Sequence, residues 1–395
     1  MDPQSVLISG IGIAGPALAH WLLHHGFRPT LVERSPRLRR CGYIIDFWGV
    51  GYDLVERMGL LEQVRAAGYQ LDEVRLVDGQ GRRAGGFDAD VFRAATAGRF
   101  TSLMRGELSA ILYGAIEQRA EVLFGDSISA LDDAGDSVLV HFERGGSRRF
   151  DLVIGADGLH SGVRSLVFGP SSQFEKYLGY TVAAFSVSGY RPRDENVYVS
   201  HAVPGKTISR FSMREDRTMF LLVVTDSGVR AAALSDGDAQ RAYLRDQFSN
   251  VGWESPQILA ALSRSDDLYF DRVSQVRMPR WSRGRVALVG DAAFAPSLLA
   301  GQGSALAIIG AYVLAGELAR ANSVAAAFQR YEWQLQAFLE QKQDAALRFA
   351  QSLVPASQLA IRIRNLVTKA LAVPSIARLA MGTSLLDRIQ LPDYG

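Results

Sequence analysis

The chain has 395 residues, of which 48% are hydrophobic and 21% are charged, and its formal net charge is +2. This composition is typical of a globular protein with a large core, and it argues against a nucleic-acid-binding surface or a long acidic tail. The single cysteine, Cys41, excludes an internal disulfide and makes a cysteine-based zinc site implausible, and a cytoplasmic setting fits best. The sequence shows no metal-ligand cluster, so we predict no metal centre.

The segment from Val6 to Glu33 carries the strongest motif. A short apolar strand leads into Gly10-x-Gly12-x-x-Gly15, a helix follows with apolar residues at helical spacing, and a second apolar run ends at Glu33. The glycines allow a tight turn and a close approach of the backbone to phosphate, and the acid can bind an adenosine ribose hydroxyl. We therefore expect a dinucleotide to contact Gly10, Gly12, Ile13, Ala14, Gly15 and Glu33.

Two later segments repeat the pattern of a buried strand that ends in a glycine turn. The first ends at Asp157-Gly158, with Ser161 and Arg164 opening the next helix, and the second ends at Gly290-Asp291. Asp291 can bond a polyol hydroxyl, and the helix that follows would stabilise negative charge on a reduced flavin. From the last segment we predict site roles for Gly290, Asp291, Gly301, Gln302, Gly303 and Ser304. Asp-Gly turns are common, so Asp157 and Gly158 are site candidates only through the family resemblance given below.

The region from residue 171 to 276 changes character. Strand-like runs rich in Val, Thr, Tyr and Phe follow one another, which predicts a mostly antiparallel sheet. Phe185, Phe211 and Phe220 could line a pocket for a planar apolar ligand or could simply fill the core. Helical spacing predicts a helix from Ser102 to Glu117.

Two stretches could be mistaken for membrane elements. Residues 292–316 carry no charge, but glycines interrupt them and a strand leads into them, so we interpret them as a buried loop and helix. A basic amphipathic helix from Leu359 to Leu371 could lie on a membrane, but we favour packing across two domains. We expect no integral membrane association.

The three motifs together resemble the single-component FAD-dependent aromatic hydroxylases, and their order covers nearly the whole chain. The segment from Gly42 to Leu61 is similar to the branch that contains tetracycline-inactivating and natural-product hydroxylases. The resemblance implies an α/β fold, with a Rossmann-like FAD-binding domain of the glutathione-reductase type, an inserted antiparallel substrate domain and C-terminal helices. We assign residues 1–72, 101–170 and 277–345 to the first, 73–100 and 171–276 to the second, and 346–395 to the last.

The resemblance also implies roles for individual residues. Arg34 and Arg105 would bracket FAD, Asp46 would lie by the isoalloxazine, and Asp157 would lie near the pyrophosphate and the path of the nicotinamide nucleotide. In such enzymes NAD(P)H docks transiently and reduces FAD, after which O2 gives a C4a-hydroperoxide that hydroxylates an aromatic or polycyclic small molecule. Catalysis then needs no side chain as nucleophile or base. Leu298 stands where the family usually has proline, on the pocket wall.

Three alternatives remain open. A flavoprotein of the same fold could reduce, dehydrogenate or cyclise its substrate without inserting oxygen. A flavin halogenase is disfavoured because its Trp-x-Trp-x-Ile-Pro signature is absent. A non-catalytic carrier of the prenyl-protein escort type shares the fold but would lack bound FAD. The sequence does not distinguish a monomer from a homodimer.

Overall fold

The computed structural model describes residues 4–39, 42–226, 234, 236–371 and 389–395. Cys41 and much of the segment that we assigned to the C-terminal helices, residues 372–388, lie outside the described residues.

The described residues form strands and helices that alternate along most of the chain. The strands are β1 Ser5–Ser9, β2 Arg28–Glu33, β3 Ile44–Trp48, β4 Glu73–Val77, β5 Arg83–Asp88, β6 Phe100–Met104, β7 Glu121–Phe124, β8 Ile128–Asp133, β9 Val138–Phe142, β10 Ser147–Phe150, β11 Leu152–Gly155, β12 Glu175–Ser188, β13 Val197–Val203, β14 Lys206–Ser212, β15 Arg217–Thr225, β16 Tyr269–Val276, β17 Ser282–Arg283 and β18 Val286–Leu288. The helices are α1 Ala14–His24, α2 Val50–Arg57, α3 Leu61–Ala67, α4 Asp90–Ala95, α5 Arg105–Gly114, α6 Gly162–Val167, α7 Gly237–Phe248, α8 Ser255–Leu262, α9 Asp291–Phe294, α10 Gly303–Arg320, α11 Val324–Leu353 and α12 Gln358–Ala370. Single turns of 3-10 helix span Ser171–Gln173 and Leu298–Ala300.

A six-stranded sheet in the order β17-β18-β11-β1-β2-β7 forms the first layer of the fold. All of its pairs are parallel except β17 with β18, and Val6 on β1 lies opposite both Leu152 and Pro29. The central strands are buried on both faces, which explains their continuous apolar runs. The predicted Rossmann-like α/β architecture is confirmed.

Helix α10 lies in the core beside α1. It is long and apolar enough to cross a membrane, but 83% of its 18-residue window is buried inside the protein. The expectation of a buried loop and helix in this stretch is therefore confirmed, because neighbouring helices and strands cover the apolar surface that lipid would otherwise contact.

A seven-stranded sheet in the order β16-β12-β15-β14-β13-β4-β5 forms the second layer. It is antiparallel except for the pair of β13 with β4. Its outer face packs against α7 and α8, and its inner face looks toward the six-stranded sheet and α12. A mostly antiparallel sheet is thus confirmed, and the hairpin of β4 and β5 joins it as our boundaries expect. The exact domain boundaries stay a prediction.

The helix predicted from Ser102 to Glu117 begins later than expected. Residues Phe100–Met104 form β6, which pairs with β3, and α5 runs only from Arg105 to Gly114. The error arose because apolar residues at the end of a strand continued the helical spacing of the helix that follows. The pairing matters for function because it places Asp46 on β3 directly opposite Ser102 on β6.

Candidate functional site

A crevice opens where three adjacent parallel strands end. Strands β1, β11 and β18 are neighbours in the sheet, and their carboxyl ends lead to Gly10, Asp157 and Gly290. Helices α1 and α10 begin here, each with neither a side-chain cap nor an acidic residue in its first turn. Their free N–H groups and positive dipole ends face the crevice, so the site suits anionic or electron-rich ligands.

The glycines of the crevice fall into two groups. A Cβ on Gly10 would lie 2.6 Å from the Ala156 carbonyl oxygen, and one on Gly15 would lie 2.0 Å from the Gly10 carbonyl oxygen, so packing alone requires both glycines. A Cβ on Gly12 would meet only the Arg105 Nη2 atom, at 3.7 Å, and one on Gly301 would meet nothing within 4 Å. The open space at these two positions lets a ligand approach the backbone.

Glu33 lies at the end of β2, as expected. Its carboxylate accepts hydrogen bonds from the backbone N–H groups of Ile11, at 3.1 Å, and Ser35, at 3.0 Å, and thereby ties the strand end to the glycine turn. Arg34 is exposed, and the basic residue nearest to the acid is Arg39, whose Nη2 atom lies 3.9 Å from the Glu33 carboxylate. The role of Arg34 toward the cofactor therefore stays a prediction that burial does not support.

Asp291 and Arg105 contribute opposite charges to the crevice. The Asp291 carboxylate lies beside the start of α10, with its Oδ1 atom 3.4 Å from where a Cβ on Gly303 would be. Burial raises the pKa of Asp291, and the Arg105 guanidinium partly offsets that rise. Neither side chain has a hydrogen-bond partner among the residues that the structure describes. Both are therefore free to bind a ligand between Gly12 and α10.

Asp157 and Arg164 hold the second turn together. The Asp157 carboxylate accepts hydrogen bonds from the Ser161 hydroxyl and the Val163 backbone N–H, and burial raises its pKa. Arg164 is fully buried and donates to the carbonyl oxygens of Leu159 and Ala292, so it links the second turn to the third. The predicted helix opening at Ser161 is confirmed, since its hydroxyl caps α6. This geometry favours a structural role for Asp157, and its contact with cofactor stays a prediction.

Asp46 lies at the far end of the crevice. The Ser102 hydroxyl donates to its Oδ1 atom at 2.6 Å, and burial raises the pKa of Asp46 while this hydrogen bond partly offsets the rise. Asp46 and Gln302, the residue that precedes α10, line one small pocket. Ser304, in the first turn of α10, is buried. The structure thus brings Asp46 beside Gln302, two residues for which the family resemblance implies positions near the same ring.

The inner face of the seven-stranded sheet forms the opposite wall. Leu298 packs with the half-buried Leu221 and Tyr180, and the ring centroids of Tyr43 and Tyr269 lie 5.4 Å apart beside Arg105 and Asp291. Burial raises the pKa of Tyr43 to about 12. These aromatic and apolar side chains are half-buried although they face the interior of the fold. They therefore line a cleft suited to a planar ligand.

Two of the three phenylalanines proposed for this wall are elsewhere. Phe185 and Phe220 lie on the outer face with ring centroids 5.0 Å apart, buried beneath α7 and α8 with 1% and 0% exposure. Their prediction as substrate residues was wrong because strand periodicity does not reveal which face a helix will cover. Phe211 lies on the inner face, but its ring is buried against Tyr69 and Met219.

Several residues of the cleft were not predicted. They are Tyr43, Tyr198, Tyr269, Leu221, Ser102 and Arg364. Tyr198 could have been inferred from Phe211, since the two residues are directly opposite each other on β13 and β14. No sequence signal predicts a site role for Arg364, because it approaches Tyr198 from α12, a helix that is distant along the chain.

The side chains and backbone of the crevice fit FAD. Glu33 and the first glycine turn suit an ADP half, Gly12 with Arg105 leaves space beside a cation for a pyrophosphate, and Asp291 offers a free carboxylate for a polyol chain. Gly301 and the uncapped start of α10 leave open space beside free backbone N–H groups for a ring system.

Comparisons with known proteins agree with this geometry. The model of the family described as "FAD binding domain" matches residues 4–346. A flavin-dependent monooxygenase from an unidentified prokaryote is 36% identical over 89% of this chain and 90% of its own length. The FAD-dependent monooxygenase asL4 of Sarocladium schorii is 31% identical over 100% and 99% of the two chains. Among solved structures, the tetracycline destructase Tet(55) superposes with a TM-score of 0.84 at 33% identity, over 100% of this chain and 99% of its own.

Proposed function

The chain belongs to the FAD binding domain family and is an FAD-dependent monooxygenase, and from this premise we propose that it uses NAD(P)H and O2 to hydroxylate an aromatic or polycyclic small molecule of the natural-product or xenobiotic type. In the overall reaction, NAD(P)H, a proton, O2 and the substrate give NAD(P)+, water and the hydroxylated product.

One observation carries the proposal. Three glycine turns at the ends of adjacent parallel strands, together with two uncapped helix ends, build one crevice that opens onto the partly exposed inner face of the second sheet. A cofactor-binding wall and a substrate-binding wall thus face each other.

Bound FAD would supply the redox chemistry, accepting a hydride from NAD(P)H and activating O2 for transfer to the substrate. The chain's own residues bind and orient. Arg105 and the turn at Gly12 would hold the pyrophosphate, Asp291 would bond the ribityl chain, and the start of α10 would stabilise negative charge on the reduced ring.

Asp46 lies at the far end of the crevice, away from the pyrophosphate-binding turn at Gly12. Its carboxyl lies beside Gln302 with a raised pKa, so a larger share of it stays protonated than of an ordinary carboxyl at the same pH. We infer that it donates or accepts a hydrogen bond at the ring edge rather than acting as a fixed anion. The surrounding apolar side chains exclude water from this end of the crevice.

A planar polycyclic substrate is supported by the aromatic and apolar lining of the cleft, and by the similarity to the tetracycline destructase Tet(55). Tyr43, Tyr269 and Leu298 present aromatic and aliphatic surfaces that suit stacking against rings. We further infer a cytoplasmic enzyme, which the ordinary composition and the burial of the long apolar helix α10 support, and we propose that it works as a monomer or homodimer.

The proposal is tested with the purified full chain. We expect flavin absorbance that corresponds to one FAD per chain, and NADH or NADPH oxidation that accelerates when a suitable phenol, quinone or polyketide is added under 18O2. Mass spectrometry should then find one labelled oxygen atom in the product.

The outcomes separate the alternatives. Substrate-dependent NAD(P)H oxidation that yields a reduced or cyclised product without label would indicate a flavoprotein that does not insert oxygen. A colourless protein that added FAD cannot reconstitute would support a non-catalytic carrier and contradict the proposal.

A further inference from the structure

Arg364 is a cation turned toward the interior of the protein. It lies on α12, half-buried, and burial lowers its pKa, an effect that Tyr198 only partly offsets. Its guanidinium makes three long hydrogen bonds, two to the Asn365 side chain at 3.2 and 3.3 Å and one to the Leu353 carbonyl oxygen at 3.4 Å. In the described part of the chain no carboxylate pairs with it.

Partial burial of the Arg364 guanidinium without a carboxylate partner is unfavourable unless a ligand binds it. Removing a cation from water without a counter-ion is expensive, and an exposed position is available on the same helix. Arg362 and Lys369, also on α12, are exposed to solvent and need no partner. The helix therefore turns one of its three cations inward.

A structural explanation for Arg364 is weak. Among the described residues, the backbone atom that Arg364 reaches is the Leu353 carbonyl oxygen, which already accepts a hydrogen bond from the Thr207 hydroxyl at 2.8 Å. Arg364 is thus not needed to cap the end of α11. Its neighbour Thr368 makes the tighter contact with the sheet, donating to the Asn365 carbonyl and accepting from the Gly86 backbone N–H at 3.1 Å.

The groups that Arg364 faces are polar and lie on the inner wall of the cleft. Tyr198, on β13, is half-buried, with a pKa raised to about 12 by burial, and it interacts with both Ser209 and the charge of Asp46. The Ser209 hydroxyl donates to Ser200 at 2.9 Å. These residues form a polar patch on an otherwise apolar sheet face, between α12 and the Asp46 end of the crevice.

We propose that Arg364, with the Tyr198 hydroxyl beside it, selects substrates that carry an anionic oxygen, as a carboxylate or as the enolate of an acidic hydroxyquinone. Arg364 is then a specificity-determining residue, since a guanidinium forms strong charge-assisted hydrogen bonds to such oxygens. The substrate's anionic end lies at α12, and its ring system extends toward the flavin wall. This inference rests on the proposed function because it names the substrate class of the same cleft.

The test uses two pairs of ligands that differ mainly in charge. Anthraquinone-2-carboxylate is compared with anthraquinone-2-carboxamide, and 2-hydroxy-1,4-naphthoquinone with 2-methoxy-1,4-naphthoquinone. Isothermal titration calorimetry on the oxidised, FAD-loaded protein gives each Kd without turnover. In at least one pair we expect the anion to bind roughly tenfold to one-hundredfold more tightly, the range of a charged hydrogen bond. The pair that shows the preference distinguishes a carboxylate from an enolate.

Variants assign the preference to Arg364. Arg364→Gln should abolish it, Arg364→Lys should retain part of it, and the matched control Arg362→Gln, on the exposed side of the same helix, should leave it unchanged. A wild-type protein that shows no preference in either pair, or binds none of the four probes, overturns the inference even if no variant folds. So does a preference that survives in Arg364→Gln. Oxygen transfer to neutral aromatic substrates alone would also refute the anion site while leaving the proposed function intact.

Discussion

The two walls of the cleft use different parts of the polypeptide. The cofactor wall is mainly backbone, in which glycine turns and uncapped helix ends present N–H groups at Gly12 and around Gln302. The sheet wall is made of side chains, such as Tyr198 and Leu221, that alternate along strands with residues of the outer core. A wall of backbone tolerates few substitutions, whereas a wall of side chains can change its ligand without changing the fold.

The largest effect on activity should come from adding a single methyl group to the cofactor wall, because it removes the cofactor as well as stability. Gly15→Ala places a Cβ 2.0 Å from the Gly10 carbonyl oxygen, so the turn must shift. We expect a loss of about 3 kcal/mol or more in the free energy of unfolding, together with loss of bound FAD. Thermal melts and flavin absorbance measure both effects.

Gly114→Ala is the matched control, because a Cβ at Gly114 meets nothing within 4 Å. It should retain full FAD content. Equal flavin content in the two variants would show that the close packing at Gly15 does not govern cofactor binding.

The next largest effect should distinguish Phe220 from Leu221, which are adjacent on β15 but lie on opposite faces of the sheet. Phe220→Ala removes a fully buried ring from the outer core and should cost about 3 to 5 kcal/mol in unfolding free energy, with KM for a given substrate almost unchanged. Leu221→Ala, one residue further along β15, should cost about 2 kcal/mol or less because the side chain is only half-buried, and should change KM. A changed KM in Phe220→Ala alone would reverse the assignment of the faces.

A third experiment concerns the half-buried carboxyl of Asp46, at the far end of the crevice. Because burial raises the folded pKa of Asp46 above its unfolded value, the folded state holds the proton more tightly, and the stability that this carboxyl contributes falls as pH rises between those two values. Asp46→Asn removes the ionisation. We expect the variant to gain stability relative to the wild type as pH is raised from about 4 to about 8.

Urea unfolding at several pH values measures the difference. Asp266→Asn, at an exposed position, is the control and should show no such gain. A difference between wild type and Asp46→Asn that does not change with pH would mean that Asp46 does not titrate in this range.

The two walls also differ in how far the sequence predicts them. The cofactor wall could be predicted because Gly10 directly follows β1, Glu33 ends β2 and Asp291 lies shortly after β18, so local motifs specify it. The sheet wall could not be predicted, because Phe220 and Leu221 are both apolar and both faces of β15 are covered, so the sequence does not show which residue faces the cleft. Only the packing of α7 and α8 decides which face is the core, and only the tertiary fold brings Arg364 to Tyr198.

The smallest effect should come from Leu298, where the two walls meet. Leu298→Ala shortens a half-buried side chain at the junction with the sheet, so we expect FAD content to stay unchanged and the unfolding free energy to fall by about 1 kcal/mol. The KM of bulkier polycyclic substrates should fall a few-fold relative to that of small phenols. Identical KM ratios in the variant and the wild type would place Leu298 outside the substrate path.

The central claim is that both walls enclose a single crevice, with FAD on one side and substrate on the other. Its most direct measurement is an absorbance titration of the bound flavin with a planar aromatic ligand whose binding has been established by calorimetry. The account predicts a flavin difference spectrum that saturates at one ligand per chain with the calorimetric Kd. Ligand binding that leaves the flavin spectrum unchanged would contradict it.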